Sequence, residues 1–116
     1  MKVQEIMTTA VLSVTEDDSI EAAARLLARR GISGLPVFNK QGKLVGMVTE
    51  YDLIAKTGET VGSIMSRGVI SVSPETDIEE VRHLLTNRRI RRVPVLDGDQ
   101  LVGIVSRSDL VRQIAL

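Results

Sequence analysis

Thr49 and Asp52 stand three residues apart at the end of the apolar run LVGMVT, and Ser106 and Asp109 repeat that spacing at the end of LVGIVS. A hydroxyl followed three positions later by a carboxylate supports two kinds of chemistry. In the local one, the pair is a capping box opening a short helix, and the Asp also complements the helix dipole, worth about 0.3–1 kcal/mol. In the other, the same strand-to-helix edge recognises a ligand. Its free N–H groups and hydroxyl suit a phosphate, and its ionised carboxylate suits a vicinal diol such as a ribose. Gly46 and Gly103 lie inside the preceding runs, and a glycine within a strand marks close approach of a ligand or of another backbone. Met47 and Ile104, next along each run, would wall a base.

The remaining inventory removes competing chemistries. There is no cysteine, so neither disulfides nor thiolate nucleophiles or metal ligands arise. His83 is the only histidine and sits on a helical pattern, which leaves a zinc site without partners. No nucleophile–base arrangement is visible, so the chain is expected not to be an enzyme. Phe38 and Tyr51 are the only aromatics, and 15 basic residues balance 15 acidic ones. Base stacking and a basic footprint are both missing, which argues against nucleic acid as partner. The run NRRIRR (87–92) reads first as a solvated helix end with favourable dipole charges, and second as a phosphate patch. Asp97 and Asp99 flank Gly98, where turn chemistry accounts for them. No apolar run nears the roughly 20 residues of a bilayer span, and MKVQEIMTTA lacks a signal-peptide core. The expectation is a cytoplasmic protein with no membrane partner.

The elements that must position the two pairs are themselves written twice. A shift of 58 lays VQEIMTTAVLSV (3–14) on VGSIMSRGVISV (61–72), and SIEAAARLLARRGISGLPVF (19–38) on DIEEVRHLLTNRRIRRVPVL (77–96). After a turn one residue shorter, KLVGMVTEYDLI meets QLVGIVSRSDLV. About 20 positions are identical, too many along one chain for chance. The chain therefore reads as repeats 1–57 and 58–116, joined near KTGET.

In each repeat, VLSV or VISV is a short strand. A helix over 19–30 or 77–88 follows, capped by Asp18 with Glu21 or Thr76 with Glu79, and Gly31 supplies a left-handed stop. LPVF or VPVL is a strand with Pro36 or Pro94 near its start, where a missing donor is tolerable. NKQG or DGD turns the hairpin into the next strand, and a last helix begins at Asp52 or Asp109. The unit is β-α-β-β-α, of α/β (α+β) class. A half of under about 60 residues is marginal alone, so the two are expected to share a core about a pseudo-two-fold axis.

This arrangement resembles a tandem pair of CBS (cystathionine-beta-synthase) domains, a Bateman module. The residues that carry the resemblance occur in both copies: V-x-x-I-M (3–7, 61–65), I-x-x-h-P-V (32–37, 90–95, h apolar) and h-V-G-h-V-[ST]-x-x-D-L (44–53, 101–110). The resemblance implies a non-catalytic regulatory module. It would bind AMP, ADP, ATP or S-adenosylmethionine in a cleft between the repeats and switch conformation for a regulated partner protein. By position, Asp52 and Asp109 would hold ribose hydroxyls, and Thr49 and Ser106 ribose or phosphate. Met7, Leu12, Ile32 and Met47 would line the base pocket of the first site. Met65, Ile70, Ile90 and Ile104 would line that of the second.

In related sensors the two residues after the Ile of I-x-x-h-P-V are often basic and reach phosphates of the ligand held by the other repeat. Here they are Arg91 and Arg92 in the second copy but Ser33 and Gly34 in the first. The Asp52 site, receiving the two arginines, is expected to favour a phosphate over the Asp109 site. The alternative function is a structural or oligomerisation module with non-binding clefts, in which the Asp residues merely cap helices. Ala22, Ala23, Ala24 and Ala28 give the first helix a wide surface of small side chains, which suggests a homodimer through close helix contact.

Overall fold

The computed structural model describes residues 1–88 and 90–115; Arg89, within the basic run, and Leu116 lie outside them. The chain divides into two compact units, Leu12–Val69 on the one hand, and Met1–Val11 with Ile70–Leu116 on the other. Both mix helices and sheet.

The Leu12–Val69 unit contains β1 (Val14–Thr15), α1 (Ile20–Arg30), β2 (Gly34–Phe38), β3 (Leu44–Thr49), α2 (Glu50–Ala55) and α3 (Val61–Ile64). β2 is the central strand, parallel to β1 and antiparallel to β3. Alternation along β3 turns Gly46 and Val48 inward. On α1, Ala23 and Leu27, four apart on one face, pack with Leu35, Val37 and Val48 into the core. The expected cap is displaced by one residue. Ser19 is the N-cap, accepting from the Ala22 N–H (3.1 Å), while Asp18 accepts from the Thr15 N–H (2.9 Å) and closes the preceding turn. Gly31 ends the helix in the left-handed region (φ 62°), and its N–H reaches the Leu27 carbonyl.

The other unit contains α4 (Ile78–Asn87), β4 (Arg92–Asp97), β5 (Gln100–Ser106) and α5 (Arg107–Ala115). β4 and β5 form an antiparallel pair. The expected strand VISV shrinks to a single parallel bridge, Val72 to Val95. Val81 and Leu85 of α4 pack with Val93, Val95 and Val105. Here too the cap moves: Asp77 accepts from Glu79 N–H (2.9 Å), and Thr76 Oγ1 instead accepts from Ser73 N–H (3.0 Å).

The packed units are not the sequence repeats, because the opening segments are exchanged. Val3, in the first repeat, is fully buried in the core of β4 and β5. Its N–H donates to the Thr76 carbonyl (2.8 Å). Val61 and Ile64, in the second repeat, are buried beside β2 and β3, and the Val61 N–H donates to the Asp18 carbonyl (2.8 Å). The two prolines stand at pairs that exchange no hydrogen bonds across their hairpins. Pro36 lies opposite Met47, and Pro94 opposite Ile104. Met47 bonds Ser66 through both its N–H and its C=O, and Ile104 bonds Thr8 in the same way. These ladder positions place no demand on the missing proline N–H.

Candidate functional site

Each aspartate is held at the third position of a helix that follows directly on a strand. α2 begins at Glu50 and α5 at Arg107, two residues before the expected starts. In the first site the local chemistry is realised in full. Thr49 is the N-cap, its Oγ1 accepting from the Asp52 N–H (3.3 Å). Asp52 Oδ2 accepts from the Thr49 N–H (2.9 Å) and hydroxyl (3.1 Å). In the second site Asp109 Oδ2 accepts likewise from the Ser106 N–H (2.8 Å) and hydroxyl (3.1 Å). The capping contact folds each carboxylate back against the strand end, so that Asp52 is only 1% and Asp109 4% exposed.

Burial of a carboxylate is costly unless its oxygens are satisfied, and the second oxygen is satisfied by groups the sequence reading did not single out. Asp52 Oδ1 meets Lys56 Nζ (2.8 Å) and the Ser66 hydroxyl (3.5 Å). Asp109 Oδ1 meets the Thr8 hydroxyl (3.2 Å) and the Arg112 guanidinium. Both hydroxyls arrive through the exchanged segments. A signal for them exists: each follows the Ile-Met pair of V-x-x-I-M, at 6–8 and 64–66. The cations stand four and three residues after their aspartates, the spacing of a helical ion pair.

The strand glycines mark close approach of another backbone. A Cβ on Gly46 would lie 2.7 Å from both the Met65 sulfur and the Ser66 carbonyl oxygen. One on Gly103 would lie 2.6 Å from the Met7 sulfur and 3.1 Å from the Thr8 carbonyl oxygen. These contacts seat each methionine on a strand. Met7 stands against β5 in the unit of Asp109, Ile90 and Ile104. Met65 stands against β3 in the unit of Asp52, Met47, Leu12 and Ile32.

The other expected residues separate as follows. Met47 and Ile104 are half-buried on their strands, and Leu12 packs against the core of its unit. Ile32 is 36% exposed, and Ile90 packs on the β4–β5 core. Ile70 lines a groove of about 580 Å³ with Val72, Thr76, Glu80, Leu84 and Leu96.

The segment before each h-P-V strand holds the start of the helix. The Glu50 N–H donates to the Ser33 carbonyl (3.0 Å), and the Arg107 N–H to the Arg91 carbonyl (3.0 Å). At α2, two of the first-turn amides that a phosphate would seek are therefore already bonded, those of Glu50 and Asp52. Arg91 is exposed; Arg92 is half-buried opposite Ser106 in the β4–β5 register, the place that Gly34 takes opposite Thr49.

Among the described residues no group of three His, Cys, Asp or Glu side chains is placed to hold a metal, and no helix is long and apolar enough to cross a membrane.

Two repeats of one βαββα plan, each ending in a buried, capped aspartate, define a class of protein, and comparison identifies it. The CBS domain model matches residues 3–58 and again 61–116. The chain belongs to the CBS domain family and carries a tandem pair of these domains. It is 36% identical over 115 residues to the CBS domain-containing protein YhcV of Bacillus subtilis, covering 93% of this chain and 81% of that protein. It also resembles the crystal structure of the CBS domain pair of MJ0100 in complex with 5′-methylthioadenosine and S-adenosyl-L-methionine. There the TM-score is 0.91 at 30% identity, over 99% of this chain and 96% of that one. CBSX2 in complex with AMP gives a TM-score of 0.91 at 31% identity, over 98% and 96%. In other relatives, such as the inosine-5'-monophosphate dehydrogenase of Thermoplasma acidophilum, the chain spans only 22% of the protein's length, at 37% identity.

Proposed function

We propose that this chain is a regulatory module that binds an adenosine-containing ligand, AMP, ADP, ATP or S-adenosylmethionine, and changes conformation for a partner protein. It has no catalytic role in this reading. Asp52 and Asp109 take the ribose hydroxyls. Thr49 and Ser106 contact ribose or phosphate, with Met47, Met65, Leu12 and Ile32 beside the base at Asp52, and Met7, Ile70, Ile90 and Ile104 at Asp109. The observation that carries the reading is a buried carboxylate fixed at a strand-to-helix edge, twice, in a fold whose solved relatives hold AMP or S-adenosylmethionine. Binding can drive a switch only to the extent that the ligand prefers one arrangement of the protein.

Thermal-shift and calorimetric titration with AMP, ADP, ATP, NAD(H) and S-adenosylmethionine tests this. A ligand at 100 times its Kd stabilises the folded state by about 2.7 kcal/mol. If none of them shifts the melting transition, the structural or oligomerisation role takes its place.

The arginines give the sites different preferences. The family resemblance assigns Arg91 and Arg92 to the ligand at Asp52, and the β4–β5 register favours a second reading, with Arg92 serving Ser106 and Asp109 in its own unit. AMP affinity of Asp52→Ala and Asp109→Ala, measured separately, decides: the larger loss marks the phosphate-preferring site.

The assembly proposed is a homodimer. Ala23 is taken up by the core, so α1 keeps only Ala22, Ala24 and Ala28 for such a contact. Light scattering at micromolar concentration is expected to give twice the chain mass.

A further inference from the structure

A carboxylate has two oxygens and about four acceptor positions. Both aspartates are full. At Asp52 the Thr49 N–H and hydroxyl donate to Oδ2, while the Lys56 ammonium pairs with Oδ1 at 2.8 Å and the Ser66 hydroxyl reaches it at 3.5 Å. At Asp109 they are the Ser106 N–H and hydroxyl on Oδ2, and the Thr8 hydroxyl and Arg112 on Oδ1. A vicinal diol brings two donors, so it cannot simply be added. It has to displace donors already present. Those on Oδ2 belong to the strand-to-helix junction, and losing them uncaps the helix. Exchange therefore falls on Oδ1, where the closest partner is a cation: Lys56, one residue past the end of α2, or Arg112, within α5.

We propose that Lys56 and Arg112 are built-in competitors that occupy the diol's place and set the affinity of each site. This rests on the adenosyl-ligand reading above. Both cations are partly in water, 42% exposed for Lys56 and 68% for Arg112, so each can swing out without opening the core. Once out, each is a free positive charge beside the ligand, able to meet an anionic group that the ligand carries. Lys56 is the firmer competitor. It also donates to the Ile64 carbonyl (3.1 Å) and is less exposed, so the Asp52 site is the more strongly guarded.

Adenosine is the probe of choice, because it carries the diol without a phosphate that could reward the released cation. Calorimetric titration compares the wild type with Lys56→Met and Arg112→Met, which keep the aliphatic stem and lose the charge. Adenosine is expected to bind about fivefold tighter to each, the worth of one partly exposed charged hydrogen bond. Lys56→Arg should match the wild type. AMP should gain less than adenosine, since the same substitution removes a phosphate partner. Adenosine affinity unchanged or weakened in both Met variants overturns the competitor role and leaves the ligand reading intact. Failure of adenosine, AMP and S-adenosylmethionine to bind the wild type and every variant overturns both. If one Met variant fails to fold, the other decides by the same criterion.

Discussion

At the scale of single residues, the two sites differ in how hard their strand glycines are pressed. At Gly46 an added Cβ meets a backbone oxygen at 2.7 Å as well as a sulfur. At Gly103 the closest atom is the end of the flexible Met7 side chain, with the Thr8 oxygen at 3.1 Å. Gly46→Ala is therefore expected to cost about 1–3 kcal/mol, the range for overpacking, and Gly103→Ala distinctly less. Urea unfolding of the two variants checks the order, and equal losses would contradict it. Asp52→Ala leaves the Thr49 N–H without its acceptor and takes the carboxylate from Lys56, which keeps the Ile64 carbonyl. Loss of such a cap costs about 1–2 kcal/mol whether or not any ligand binds. Asp52→Asn, which keeps the shape, should cost less in the same measurement.

At the scale of elements, the helices were largely legible. The apolar spacing of Ile78, Val81, Leu84 and Leu85 and the stop at Gly31 are properties of a few consecutive residues; the stop recurs, Val81 and Leu85 enter the core with Leu84 packed on it, and Ile78 is only half-buried. The caps were misplaced by one residue because Asp18, Ser19, Thr76 and Asp77 are all good capping types. The choice falls to the turn before the helix, which claims Asp18 and Thr76 for Thr15 and Ser73. Ser19→Ala is accordingly expected to destabilise α1 by about 1 kcal/mol, while Asp18→Ala acts on the turn. In hydrogen exchange, Ser19→Ala should expose the Ala22 amide, and Asp18→Ala the Thr15 amide. The short strands VLSV and VISV shrink to Val14, continued by Thr15, and to a single bridge at Val72, because few of their residues find a ladder partner.

At the scale of the whole molecule, the exchanged opening segments tie each sequence repeat to the core of the other. Met1–Val11 supplies Val3 to the β4–β5 core, and Thr8 to both Ile104 and Asp109. A chain lacking residues 1–11 should lose protection at the Ile104 amide, which donates to the Thr8 carbonyl (2.9 Å), and its Asp109 should lose one of its donors. Amide exchange at Ile104 indistinguishable from the full chain would rule out that dependence.

The sequence by itself determined the duplication, the helix followed by a hairpin in each copy and the placing of each aspartate in the first turn of its last helix. All of these follow from periodicity and spacing among near neighbours. Only the tertiary structure decided which core receives V-x-x-I-M, and so which methionine and which hydroxyl accompany each aspartate. The two copies of that segment are nearly alike, and so are the two strands that accept them. Residue type cannot choose between the pairings, and the path of the chain makes the choice. The same holds for Oδ1 of Asp52 and Asp109: a cation three or four residues on is common on any helix. Only the fold shows these two turned inward onto a carboxylate that has no acceptor position to spare.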